Sequence, residues 1–264
     1  MRYSNLHNHT VFSDGIHTVE ENVAAAQAKN MRSLGFSDHS FTACDTSYCM
    51  KKSQYELYLK TIREAQKTST IPLYAGLELD YYSEDDYSAF DYIIASVHYI
   101  IKDGVCHAIE HSLEQQLTCI RDAFGGNVLD MVRCYFDQLC EHVERVNPTF
   151  VGHFDVITKF SIMPEEDDRY LQIAEDALKQ IIKTCPYIEI NTGAVARGIR
   201  KLPYPGDYLW DIICREGGRL LLNADSHRVE NLTFGFDEVA QRLKKHSINR
   251  IYMFNGKGFD SVAL

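Results

Sequence analysis

Two histidines stand two residues apart in the segment Tyr3-Ser4-Asn5-Leu6-His7-Asn8-His9. Residues i and i+2 of an extended strand point to one side, so the imidazoles of His7 and His9 converge on one spot. Two such nitrogens are suited to hold a cation. Ser13-Asp14-Gly15 follows as a turn carrying a carboxylate. Alone, a His-x-His is read as easily as two histidines on a polar strand face. The balance shifts because later apolar runs end the same way, in Asp38-His39, Glu78, His98, His153 and Asp225-Ser226-His227. Six of the chain's 11 histidines fall at such run ends. Packing them together with Glu78 and Asp225 and without a cation would leave buried polar groups unpaired. The pattern therefore predicts a polynuclear metal site. Nitrogen and carboxylate donors without thiolate suit zinc, manganese or iron. Asp14 is read as a further ligand. His17, His107, His111, His142 and His246 hold no run-end position and are expected to be surface or structural residues.

These residues need elements to position them. Thr18-Val19-Glu20-Glu21 is a capping box opening a helix to about Lys29. Short strands are expected at Ser33–Ser37, Pro72–Leu77, Tyr92–Val97, Thr149–Gly152, Tyr187–Ile190 and Arg219–Ala224, with a helix over Tyr55–Lys67. Val132, Phe136, Leu139, Val143 and Val146 mark one face of a long helix, and Leu171, Ala174, Leu178 and Ile181 mark another. Tyr208–Glu216 reads as helical, residues 99–126 as irregular around a short helix, and a helix–strand pair near Gly235–Lys245 and Arg250–Phe254 as the end of the chain. Strands alternating with amphipathic helices predict a parallel sheet, and about seven such units predict a distorted (β/α)7 TIM-like barrel in one domain, residues 1–264. In such a barrel the carboxyl ends of the strands gather on the face that carries the active site.

Composition sets the outer bounds. At 264 residues with 45% hydrophobic and 24% charged residues, the chain has the make-up of an ordinary globular protein. It shows no apolar run long enough to span a bilayer and no signal peptide, so a cytoplasmic location is expected and a membrane partner is not. The eight cysteines show no C-x-x-C pair and are expected to be reduced thiols, several of them buried. A net charge of −10 disfavours nucleic acid as a partner. Nothing in the sequence sets the oligomeric state.

Leu6-His7-Asn8-His9 with Ser13-Asp14-Gly15 resembles the first motif of the polymerase and histidinol phosphatase (PHP) family, and Ser37-Asp38-His39 resembles its second. Gly76-Leu77-Glu78, Ala95-Ser96-Val97-His98 and Asn223-Ala224-Asp225-Ser226-His227 resemble its middle and last motifs, so the likeness runs in order through nearly the whole chain. Val151 to Phe160, Glu189 to Ala194 with Arg197, and Tyr204-Pro205 resemble the histidinol-phosphatase branch. The resemblance implies a seven-stranded barrel with three divalent metal ions. The first would be held by His7, His9, Glu78 and Asp225, the second by Glu78, His98 and His153, and the third by His39 and His227 with Asp14.

It also implies hydrolysis of a small phosphorylated metabolite, L-histidinol phosphate, in histidine biosynthesis. A metal-bridging water, acidified to hydroxide, would attack phosphorus in line while the metals neutralise the phosphoryl oxygens. Asp225, His227 and Arg197 are the candidates for catalysis, and Lys159, Arg197 and Arg200 for gripping the phosphate. The sequence shows no Ser-His-Asp set. One rival is a nuclease or nucleotide phosphoesterase of the same fold, which would need a basic groove or stacking aromatics. A distant second is a non-catalytic, metal-stabilised binding module, which would have no use for phosphate-gripping cations.

Overall fold

The computed structural model describes residues 1–84, 86–162 and 167–264. The chain runs β1 (Ser4–Asn5), α1 (Val19–Ala28), β2 (Ser33–Phe36), α2 (Tyr55–Thr68), β3 (Leu73–Asp80) and β4 (Tyr92–Ser96). A hairpin of β5 (Tyr99–Lys102) and β6 (Val105–Ala108) and then α3 (Leu113–Phe124) interrupt the alternation. It resumes with α4 (Val128–Val146), β7 (Phe150–Val151), α5 (Asp168–Thr184), β8 (Tyr187–Asn191), α6 (Gly193–Ala196), α7 (Trp210–Arg215), β9 (Arg219–Asn223) and α8 (Phe236–Lys245). β10 (Arg250–Phe254) and β11 (Phe259–Ala263) come last.

Seven strands form one parallel sheet in the order β1-β2-β3-β4-β7-β8-β9. Its two edges are drawn together without a regular ladder. The Leu6 N–H donates to Asn223 Oδ1 at 2.8 Å, the Ala224 N–H donates to Asn5 Oδ1 at 3.1 Å, and Asn8 bridges Ser226. The sheet is thus a nearly closed β/α barrel, the architecture the alternation predicts. Leu6, Tyr92, Ile94, Phe150, Leu221 and Phe254 fill its interior. Tyr92 lies across two glycines: a Cβ at Gly76 would stand 2.2 Å from its ring, and one at Gly35 would stand 2.4 Å from its hydroxyl. The Tyr92 hydroxyl donates to the carbonyls of Leu6 and Phe36, which ties β4 to the first two strands.

The helices cover the outside. α1 opens on the expected capping box, with Thr18 N–H donating to Glu21 Oε2 at 2.8 Å and Glu21 N–H to Thr18 Oγ1 at 3.2 Å. α4 buries Val132, Phe136, Leu139 and Val143 against Tyr170, Ala174, Leu178 and Ile181 of α5. Among the described residues no helix is long and apolar enough to cross a membrane.

Three expectations need correction. Residues 99–126 are not irregular. Tyr99 and Ile100 are buried and anchor the hairpin, while α3 runs a full 12 residues from a Ser112 cap to Gly125 in the left-handed region. The eight cysteines are not all free: Cys44 is disulfide-bonded to Cys106, joining the loop after β2 to the tip of the hairpin. The chain also does not end on a helix–strand pair, because β10 turns back into β11 as a separate antiparallel pair.

Candidate metal centre

Six of the seven barrel strands, all but β8, carry or lead into the candidate ligands. The segment after β1 carries His7 and His9, that after β2 His39, β3 carries Glu78, and His98 and His153 follow β4 and β7. Asp225 and His227 follow β9, and Asp14 comes from the turn after His9. All nine gather at one end of the barrel, and only the side chains of Asp14 and His227 keep substantial exposure, at 33% and 24%. Asp225 sits at φ 45°, a strained conformation for a residue with a side chain, at a functional position. Gly193 makes room for it, since a Cβ there would lie 2.9 Å from the Asp225 Cβ.

Glu78 lies at the middle. Its Oε2 is 2.8 Å from His39 Nδ1, 3.3 Å from His7 Nε2 and 3.6 Å from His9 Nε2. Its Oε1 is 2.8 Å from His153 Nε2 and 3.3 Å from His98 Nε2, and accepts the Ser96 hydroxyl at 2.8 Å. Asp225 Oδ1 stands 3.2 Å from His9 Nε2, and Asp14 Oδ2 stands 3.1 Å from His227 Nε2. Donor atoms within 4.8 Å of one another form three overlapping groups: His7, His9 and Glu78; His39, Glu78 and His98; and His9, Asp14, His39 and His227. Despite this crowding, His7 Nε2, His9 Nδ1 and His153 Nδ1 are buried without a hydrogen-bond partner, and Glu78 Oε2 and His9 Nε2 approach His39 and Asp225 only at angles that make no proper hydrogen bond. Five such polar atoms in one nest are costly to keep from water, and a nest of imidazole and carboxylate donors is what divalent cations require. The residues fit a metal cluster.

The charges reinforce one another. Burial opposes the imidazolium of His7, but Glu189, Glu78 and Asp225 outweigh it and raise its pKa well above the ordinary value. Burial, together with His227 and His39, lowers His9 to about 3. Burial also opposes the ionised forms of Glu78 and Asp225. The histidines around Glu78, and Arg197 with His7 around Asp225, nevertheless hold both well below the usual carboxylate range.

The nest opens into a cavity of about 490 Å³. Arg197, just after α6, reaches over its wall with Nη2 3.3 Å from Asp225 Oδ2 and Nη1 3.3 Å from His227 Nδ1. Lys159 lines the same cavity and is paired with Glu110. Arg200 turns elsewhere. Its guanidinium donates to the Thr158 carbonyl and hydroxyl at 2.8 and 2.7 Å, stacks on Tyr204, and is not part of the cavity lining.

Several neighbours of the nest were given no role in the site by the sequence, although Asp38 and Glu189 lie within its motifs. His111 lines the cavity beside Tyr48 and Tyr99 rather than serving as a mere surface residue. Asp38 accepts from the backbone and hydroxyl groups of both Thr10 and Ser13, which fixes the turn that presents Asp14. Asp80 accepts from His98 Nδ1 at 3.1 Å, and Glu189 from His7 Nδ1 at 2.8 Å. A charged residue inside an apolar strand was the available signal for Glu189, as Tyr187-Ile188-Glu189-Ile190 shows.

Fold and site together define a β/α-barrel protein with a metal-binding donor cluster at the carboxyl ends of its strands. The chain belongs to the PHP-domain family, whose model matches residues 5–193. A Schizosaccharomyces pombe protein named "probable histidinol-phosphatase" is 27% identical over 177 residues, 64% of this chain and 55% of that protein. The match thus spans only about half of that relative's length. Among solved structures, the Lactococcus lactis histidinol phosphate phosphatase, complexed with zinc, L-histidinol and phosphate, aligns with a TM-score of 0.63. It is 21% identical, over 98% of this chain and 99% of the other. A Listeria monocytogenes protein named "putative histidinol phosphatase" aligns at 0.71 and 19% identity, over 89% and 99%. Both share this fold.

Proposed function

We propose that this protein is a metal-dependent phosphomonoesterase that hydrolyses L-histidinol phosphate to L-histidinol and phosphate. The observation that carries the reading is the nest of unsatisfied imidazole and carboxylate atoms opening into a cavity with Arg197 on its wall. The names of the yeast relative and of the Lactococcus enzyme support the choice of substrate. So does the far wall, where the aromatic edges of Tyr48 and His111, with Tyr99 packed behind them, suit a ring-bearing group.

His7, His9, Glu78 and Asp225 would hold one divalent cation, Glu78, His98 and His153 a second, and Asp14, His39 and His227 a third. Once bound, such cations supply Lewis acidity to a water and to the phosphoryl oxygens. The chain's own groups do the positioning. Asp225 fixes the guanidinium of Arg197 at the edge of the nest, where its fork can take two phosphate oxygens. The Asp225 carbonyl, 3.1 Å from His227 Nδ1, holds that ring so that Nε2 faces Asp14. Lys159 brings a second positive charge to the cavity, and Glu110 sets where its ammonium sits.

The test is release of inorganic phosphate from L-histidinol phosphate, beside a panel of other phosphomonoesters and an oligonucleotide, with zinc or manganese and with chelator. Strong, chelator-sensitive preference for L-histidinol phosphate is expected. Equal turnover of many esters would remove the substrate assignment, and cleavage of the oligonucleotide would favour a nuclease. Arg197→Ala should lower kcat/KM roughly 100- to 1000-fold, the usual cost of losing one donor to a developing oxyanion, with metal content unchanged.

A further inference from the structure

Glu189 is wholly buried on β8 and points into the barrel beneath the donor nest. Four groups surround its carboxylate. Oε1 faces His7 Nδ1 at 2.8 Å and Asn223 Nδ2 at 3.0 Å. Oε2 faces the His153 N–H at 2.8 Å and Asn191 Nδ2 at 2.9 Å. The orientation of both amides is fixed at their other ends, because Asn223 Oδ1 accepts the Leu6 N–H and Asn191 Oδ1 accepts the Gly193 N–H. Glu189 therefore meets N–H donors on every side, and the proton of a neutral His7 ring has its place on Nδ1. That leaves the Nε2 lone pair, which has no partner of its own, aimed at Glu78 and the nest.

We propose that Glu189 is a positioning residue for the metal centre: it fixes the tautomer and ring orientation of His7 and, through the His153 backbone, the start of the segment bearing a second donor. A carboxylate behind a ligating histidine does this in metal sites generally. Asp80 stands behind His98 in the same relation, accepting its Nδ1 and its backbone N–H, both at 3.1 Å. Glutamine cannot substitute for Glu189. Its amide nitrogen would face either His153 N–H and Asn191, which are donors, or His7 and Asn223. In the second case His7 could accept only by moving its proton to Nε2, which removes the lone pair from the nest.

The inference rests on reading His7 as a metal ligand, and the experiment separates the two. Metal-free wild-type and Glu189→Gln proteins are titrated with zinc against a competing chelator, and with cobalt(II) followed by its visible spectrum. Thermal melts of both metal-free proteins are recorded alongside. The expected result is a 10- to 100-fold weaker affinity for one equivalent of metal in the variant, the usual cost of losing such a partner, with an altered cobalt spectrum. Equal affinity and spectrum, with only the metal-free melt lowered, would reduce Glu189 to a structural residue and overturn the proposal. Uptake of no metal by the wild type would overturn the metal reading and the proposal with it. If the variant does not fold, nitrogen-15 NMR of the zinc-loaded wild type decides the matter. His7 must show its proton on Nδ1, and a proton on Nε2 refutes the proposal.

Discussion

Glu78 presents one carboxylate oxygen to His7, His9 and His39 and the other to His98, His153 and the Ser96 hydroxyl. Such a residue lets one strand end serve two neighbouring groups of donors, and in the metal-free protein its charge favours the imidazolium forms of His7, His39 and His98. His9, governed by other neighbours, has a measurable consequence of its own. Unfolded, its imidazole takes a proton near pH 6.5; folded, burial and the neighbouring His227 and His39 delay this to about pH 3. Between those values the unfolded chain binds more protons than the folded one at this site, so the His9 contribution makes stability rise with pH there. His7 works in the opposite sense. Its raised folded pKa stabilises the fold at low pH, and that contribution is lost as pH rises through the folded value. Comparison with His9→Gln largely isolates the His9 term, since His7 is present in both proteins. In urea unfolding of chelator-treated protein between pH 4 and 6, the slope of stability against pH should be shallower in the variant by up to one proton, about 1.4 kcal/mol per pH unit. Parallel slopes would show that folded His9 titrates like an unfolded histidine.

At the scale of elements, what the sequence reveals depends on how much of an element is buried. Tyr92–Ser96 and Arg219–Asn223 carry nearly continuous apolar runs because barrel strands are covered on both faces, so they stand out and deliver His98 and Asp225 to their expected places. β5 and β6 show no such pattern, since only Tyr99 and Ile100 are buried and the hairpin tip is exposed. The signals for α3 were present in the Ser112 cap and Gly125, but the polar stretch around them masked its length. The bond between Cys44 and Cys106 spans 62 residues and has no local signature, because only the fold brings the loop and the hairpin together. Glu110 lies two residues beyond this hairpin and Tyr48 four beyond Cys44, and both line the cavity, so the bond ties together two parts of its wall. By the chain-entropy account, closing a loop of that length stabilises the oxidised protein by up to about 4 kcal/mol. Cys44→Ser should therefore unfold at lower urea than the oxidised wild type, and a reductant should bring the wild type down to meet it. A wild-type midpoint indifferent to reductant would remove the tether.

For the whole molecule, the decisive fact is that the barrel closes around its most polar region. The strand order follows from the alternation of elements, and the ligand types at the strand ends are legible one by one. The means of closure, in which Asn5 and Asn223 reach across to backbone N–H groups between β1 and β9, depends on two ordinary asparagines that no spacing rule singles out. Both lie directly beneath the donor nest, and Asn223 also serves Glu189. Closure and metal site are thus one polar network, and occupancy of the nest should be felt by the entire fold. A ligand that binds only the folded state stabilises it by about 2.7 kcal/mol when present at 100 times its Kd. In a chain of this size each kcal/mol moves the melting temperature by roughly 2–4 °C. Stripping the protein with chelator should therefore lower Tm by about 5–10 °C for each ion lost, in a single transition, and zinc or manganese in excess of the chelator should restore it. Calorimetry with and without chelator reads this directly. Coincident melts would mean that protons alone satisfy the nest, and a loss confined to a separate minor transition would mean that site and barrel closure are not coupled.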